Sequence, residues 1–196
     1  MTVPAPQQTP LSIRPATPAD VPALLPLIRS AYRGEKSRNG WTTEADLLAD
    51  QRIDEEGLLA KITEPEGVVL MVTEESTTTN IIDEKETTPP PISCCEVLRR
   101  EGGETAYFGL FAVDPDRQAG GVGRRVLEHA ERFAKERWGV KRMEMWVIWT
   151  RKELISWYER RGYRKTGKRE EFPYEGLVDG QALRDDLWFE VMEKEL

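Results

Sequence analysis

Residues 106–113, Ala-Tyr-Phe-Gly-Leu-Phe-Ala-Val, form a nearly unbroken apolar run, and a glycine-rich stretch follows it directly. The run has the pattern of a strand buried on both faces. The stretch reads Asp114-Pro115-Asp116-Arg117-Gln118-Ala119-Gly120-Gly121-Val122-Gly123-Arg124-Arg125. Beyond it Val126, Leu127, Ala130, Phe133, Ala134 and Trp138 recur at helical spacing, with Glu, Lys and Arg between them. Strand, glycine loop and amphipathic helix in that order bring free backbone N–H groups together at the positive end of a helix, where phosphate binds best. Glycine lets an anion approach the main chain and permits positive φ. Spacing narrows the ligand. A dinucleotide fingerprint needs glycine where Val126 stands and an acid further on that is missing. A P-loop needs Lys and then Ser or Thr where Arg124-Arg125 stand. A plain glycine turn before an ordinary helix is the bland alternative.

The spacing Gln118-x-x-Gly121-x-Gly123 resembles the acyl-CoA signature of the GNAT N-acetyltransferase superfamily, and Val113-Asp114-Pro115 matches the Val-x-Pro that ends the family's preceding strand. Leu154-Ile155-Ser156-Trp157-Tyr158-Glu159-Arg160-Arg161-Gly162-Tyr163 is similar to its closing helix, where an aromatic-Tyr pair precedes a Gly-aromatic step. The resemblance implies an α/β (α+β) fold: a mixed, mostly antiparallel sheet of six to seven strands, splayed at the centre and flanked by about four helices. It implies acetyl-CoA as cosubstrate and direct attack by an amine, without a covalent enzyme intermediate. The backbone of the Gln118–Arg124 loop, with Ala119, Gly120, Gly121, Val122 and Gly123, would hold the diphosphate. Backbone groups of Phe111, Ala112 and Val113 would pair with pantetheine and polarise the acetyl carbonyl. Tyr158 would protonate the departing thiolate; the alternative is a packing aromatic beside Trp157. Glu104 and Glu144 are the candidate bases. Arg151 stands where many members carry Asn, so either it takes over a contact to the cofactor or that contact is absent.

A length of 196 residues suits one domain with tails. We expect a disordered tail over 1–11, a domain over 12–196 and, within it, a flexible Thr-, acid- and Pro-rich insertion at 74–91. No apolar run is long enough for a bilayer, and the N-terminus lacks the pattern of a signal peptide. Cys94 and Cys95 are neighbours on a strand, facing opposite ways, which suggests a reducing compartment and a cytoplasmic enzyme. His129 is the single histidine and suggests no metal cluster. The net charge of −7 hides a division: residues 117–169 hold 16 Lys and Arg against 6 Asp and Glu. That basic part suits anionic coenzyme A. The acidic remainder would favour a cationic amine, and the overall balance speaks against nucleic acid.

In chain order, Ile13–Ala16 reads as a strand and Thr17-Pro18-Ala19-Asp20 as a helix start. Val21, Leu24, Leu25, Ile28 and Tyr32 supply its buried stripe, while Pro22 and Pro26 predict a bent or late start. Residues 33–43 read as a loop and Thr43 as the cap of a second helix through Leu48. A short helix near 54–63 leads to a strand at 68–73. Strands at 92–100 and 105–113 make a hairpin; a strand at 142–150, a helix at 153–161 and strands from 163 and 187 complete the reading. Tyr32, Glu35, Arg38 and Trp41 flank or occupy the 33–43 loop and suggest acceptor recognition. The expected activity is acetyl transfer to a primary amine of a small molecule by a monomer or homodimer. A non-catalytic acyl-CoA-binding module and transfer to a protein amino group are the alternatives.

Overall fold

The computed structural model describes residues 9–75 and 89–196. Its strands are β1 (Leu11–Pro15), β2 (Leu48–Ala49), β3 (Gly67–Glu74), β4 (Ser93–Arg99), β5 (Thr105–Val113), β6 (Arg142–Ile148), β7 (Arg164–Glu171), β8 (Gln181–Ala182) and β9 (Trp188–Glu195). Its helices are α1 (Val21–Tyr32), α2 (Gly34–Ser37), α3 (Glu55–Ile62), α4 (Val122–Trp138) and α5 (Lys152–Glu159). One sheet runs in the order β1-β3-β4-β5-β6-β9-β7, and β2 pairs with β8 apart from it. Within the seven-stranded sheet only β5 and β6 pair in parallel. A parallel pair needs a crossover, and the amphipathic α4 supplies it.

The sheet separates two cores. On one side Val126, Leu127, Ala130 and Ala134 of α4 pack with Leu154, Ile155 and Tyr158 of α5 against Phe108, Met143 and Met145. On the other, Val21, Leu24, Leu27 and Ile28 of α1 and Leu58 of α3 cover Val69, Met71, Leu110 and Ala112. Each such buried Leu or Phe contributes about 1.5–3 kcal/mol. Cys94 belongs to the second core and Cys95 to the first, as adjacent strand residues must. Burial raises both thiols, Cys94 to about 12. Strand β7 closes one edge with charged, exposed side chains and a register break between Lys165 and Arg169, which discourages pairing with another chain.

Several sequence expectations are corrected. The N-terminal strand starts at Leu11, inside the expected tail; residues 1–8 and 76–88, which hold most of the tail and the insertion, lie outside the described residues. The first helix does start late: Pro18–Asp20 is a 3-10 turn, and the α-helix follows from Val21 with exposed Pro26 on its outer side. Leu27, not Leu25, completes its buried face. No helix follows Thr43. The Leu47 and Leu48 N–H groups close a turn on the Glu44 carbonyl, and Leu48 then pairs with Ala182. The stretch between the strands expected from 163 and 187 therefore carries a further short strand, β8. Among the described residues no helix is long and apolar enough to cross a membrane.

Candidate active site

Strands β5 and β6 pair only over Thr105–Tyr107 and Arg142–Glu144, and then diverge. A β-bulge between β4 and β5 drives the divergence: Cys94 faces Ala112 but Glu96 faces Gly109, and Leu110 takes φ of 43°. The extra residue bends the strand and exchanges its faces. Phe108 therefore packs under α4 and Leu110 under α1. This also explains why β5 alternates buried and half-buried residues instead of being buried throughout: Tyr107, Gly109, Phe111 and Val113 look into the cleft. Beyond Tyr107 that edge of β5 has no ladder partner among the described residues. The cleft holds about 290 Å³.

At one end of the cleft stands the glycine loop. Ala119 and Gly121 both take left-handed backbone, with φ of 66° and 81°, and Gly121 is the residue before α4. An alanine in that region costs roughly 1–2 kcal/mol, strain of the kind that gathers at functional sites. The N–H groups of Gln118 to Arg124 donate to no acceptor among the described residues, while Arg125 is the first to bond back, to the Gly121 carbonyl at 3.2 Å. A Cβ on Gly123 would stand 3.3 Å from Phe111 and 3.6 Å from Trp157, so the helix start is pressed against the cleft wall. Arg124 and Arg161 line the same end. The Arg161 guanidinium stacks on Trp157 at 3.5 Å and donates to its carbonyl at 2.7 Å. Seven free amides, a helix N-terminus and two guanidiniums suit a diphosphate, and the open strand edge suits an extended amide-bearing chain.

Further in, Tyr158 is 4% exposed, packed edge-on against Trp157 and Tyr163, and its hydroxyl bonds to nothing among the described residues. Burial, reinforced by Tyr32, pushes this phenol well above its ordinary value, so it is protonated and a donor at neutral pH. Tyr163 fixes the end of α5 by donating to Glu131 of α4 at 2.9 Å. Trp41, 44% exposed, stacks on Trp157, and its main-chain N–H donates to Gln118 Oε1 at 3.0 Å. Tyr32 and Trp41 both line the cleft.

Other candidates are placed elsewhere. Glu104 is an exposed hairpin residue paired with Lys141 at 2.6 Å, which holds its carboxyl below the usual range, and it does not line the cleft. Glu144 accepts from Trp146 Nε1 at 2.9 Å beside Arg100 and likewise stays outside. Glu35 and Arg38 pair on the surface, Arg38 also with Asp46 at 2.7 Å. The Ala112 carbonyl accepts from Ser93 Oγ at 2.7 Å, so only its neighbours Phe111 and Val113 face the cleft. Arg151 reaches the cleft, but its guanidinium is engaged by Glu44 and by Thr42 Oγ1 at 2.8 Å.

Two residues escaped the sequence reading, Glu44 and Arg52. Glu44 is 5% exposed and bridges Arg33, which also holds Asp50, to Arg151. Burial would raise its carboxyl, but Arg151, Arg33 and Arg52 outweigh that and hold it below the ordinary value. Its stabilising contribution is therefore complete above the unfolded-state value, about 4.3, and lost as pH falls through the lower folded one. Glu44→Ala leaves two buried guanidiniums short of a partner and is expected to cost about 3–5 kcal/mol in urea unfolding at pH 7. The gap to wild type should close in acid; a constant gap down to pH 3 would contradict the ionised bridge.

An anion cradle, a strand edge without a partner among the described residues and a protonated phenol along one cleft define an α/β protein whose cleft suits an extended phosphorylated ligand. The sequence matches the acetyltransferase (GNAT) family over residues 36–163, and the chain belongs to that family. It is an acetyl-CoA-dependent N-acyltransferase with acetyl-CoA as cosubstrate. No curated protein matches it in sequence. The fold is similar to the PaiA N-acetyltransferase of Thermoplasma acidophilum in complex with coenzyme A, at 17% identity over 95% of this chain and 99% of that one, TM-score 0.62. It is also similar to Vibrio cholerae spermidine N-acetyltransferase in complex with CoA and spermine, at 13% identity over 94% and 95%, TM-score 0.63. The ribosomal-protein-S18-alanine N-acetyltransferase of Escherichia coli shares 17% over 95% and 94%, TM-score 0.61.

Proposed function

We propose that the chain moves acetyl from acetyl-CoA to a primary amine of a small molecule, by direct attack within a ternary complex. The observation that carries this is the continuity of the cleft, from the amides of 118–124 along the edge of β5 to the hydroxyl of Tyr158, all without a partner among the described residues. Acetyl-CoA supplies the activated thioester. The amides of Gln118 to Arg124, with Arg124 and Arg161, hold its phosphates. The main chain at Phe111 and Val113 orients the pantetheine and donates to the acetyl oxygen. Tyr158 gives its hydroxyl proton to the departing sulfur and is reprotonated by the proton that the attacking nitrogen loses as the amide forms.

Glu44 is the one carboxylate lining the cleft among the described residues, and its arginine partners make it a poor base. Four arginines line the same space, Arg52, Arg124, Arg151 and Arg161. The local charge is thus positive, against the cationic preference expected from the acidic remainder of the chain. A positive surround disfavours an ammonium and favours the neutral amine that attacks, so solvent takes the proton as the acceptor binds. A small acceptor is favoured over a protein by the way Trp41 and its loop fold over the cleft onto Trp157 and Gln118. The test is thiol release from acetyl-CoA across a panel of small amines and Lys- or N-terminal-amine peptides, followed from pH 6 to 9. The reading expects turnover with small amines, kcat/KM rising with pH. Cofactor binding without turnover on any amine would favour a binding module instead.

A further inference from the structure

Arg52 is the unexplained charge of the cleft. It lines the space, is half-buried, and its guanidinium lies 4.8 Å over the ring of Tyr32. Apart from that tyrosine it has no hydrogen-bond or ion-pair partner among the described residues, unlike its neighbours. Arg33 holds Glu44 and Asp50, Arg151 holds Glu44 and Thr42, and Arg161 caps α5. Glu44 is near enough to support the charge but makes no ion pair with it, one carboxylate oxygen being bonded by Arg33 and the other by Arg151. Burial works against the charge of Arg52, but Tyr32, Glu44 and Tyr107 more than offset it, so the guanidinium stays charged.

Its backbone adds a second observation. Arg52 takes φ of 67°, a left-handed conformation that costs an arginine roughly 1–2 kcal/mol. The surrounding chain enforces it. The Arg52 N–H donates to Asp50 Oδ2 at 3.0 Å, Gln51 is tied to the Val178 carbonyl at 2.8 Å, and Asp50 is itself held by Arg33. A strained residue whose charge pairs with no carboxylate among the described residues, held by its neighbours at the edge of a binding cleft, is placed for a ligand.

We propose that Arg52 anchors a carboxylate of the acceptor, so that the acceptors are small amines that also carry a carboxylate, of the amino-acid type. The fork of a guanidinium matches a carboxylate in two parallel hydrogen bonds. The Tyr32 ring is already covered by this guanidinium and the surround is positive, so a second ammonium, and with it diamines and polyamines, is disfavoured. This inference rests on the acetyltransferase reading for the role of the amine, and on the cleft alone for the role of the carboxylate.

The test is calorimetric binding to the protein loaded with coenzyme A, using the twenty L-amino acids, the straight-chain ω-amino acids from β-alanine to 6-aminohexanoate, and the amide of each. The expected result is that at least one acid binds about 10- to 100-fold more tightly than its amide, the range of a charge-assisted pair. Arg52→Gln should abolish that difference, with coenzyme A affinity retained, and Arg52→Lys should keep part of it. Arg52→Asn, which tolerates the left-handed backbone, should lose the preference without lowering the melting temperature, whereas a structural arginine would lower it. Amides binding as well as acids, no acid binding at all, aminoalkylphosphonates outbinding every acid, or a preference that survives Arg52→Gln would each overturn the proposal. Thiol release on the same panel separates the two readings. Acids that bind but are never acetylated would remove the transferase reading and leave Arg52 its ligand, while transfer only to amines without a carboxylate would do the reverse.

Discussion

Gly121→Val is expected to weaken coenzyme A binding by at least about 100-fold, the equivalent of losing two charge-assisted hydrogen bonds. Gly121 stands at φ of 81° immediately before α4, where an L side chain, and a β-branched one most of all, is strained. The chain relieves that strain by turning the peptide, and the amides that converge at 118–124 then no longer point to one place. The variant should also unfold earlier, by roughly 1–2 kcal/mol. Gly121→Asn separates the two effects, because asparagine tolerates the left-handed region: stability should largely return, whereas any binding deficit that remains measures the Cβ itself. Titration calorimetry with coenzyme A reads both variants. An unaltered dissociation constant in Gly121→Val would remove the phosphate role from this loop.

Tyr158→Phe is expected to slow acetyl transfer by about 10²–10⁴, with cofactor affinity preserved. The hydroxyl makes no hydrogen bond within the described protein, so its removal deprives no neighbour of a partner. The ring still packs on Trp157 and Tyr163. Stability should therefore stay within about 1 kcal/mol of wild type, since no buried group is orphaned. Single-turnover measurement with saturating acetyl-CoA isolates the chemical step. Unchanged turnover would return Tyr158 to a packing role, and a large fall in stability would mark the hydroxyl as structural.

The parts of this molecule legible in the sequence are those that local chemistry dictates. The apolar run to Val113, the three glycines and the stripe of α4 sit within one continuous segment, so strand, loop and helix follow from spacing alone. The helices at 55–62 and 152–159 and the β4–β5 hairpin were legible for the same reason. What failed depends on partners distant in sequence. Thr43 with Asp46 looks like a helix start, but Leu48 pairs with Ala182 and Glu44 is claimed by Arg33 and Arg151. An ion network spanning that many residues leaves no periodic trace. Glu104 precedes β5 and Glu144 lies on β6, and each side chain pairs outside the cleft, a direction that spacing does not encode. Arg52 has no local signal beyond its charge; its unusual φ and its lack of an acidic partner among the described residues distinguish it. The bulge that exchanges the faces of β5 was hidden as well, since an unbroken apolar run reads alike with or without an extra residue.

A crystal structure of the protein with coenzyme A tests the account most directly. The diphosphate should lie within hydrogen-bonding distance of the main-chain N–H groups of residues 118–124 and the pantetheine along β5 in the opening toward β6. The thiol should lie beside the Tyr158 hydroxyl. Coenzyme A seated on another face of the sheet, or in the cleft with its phosphates away from that loop, would contradict it.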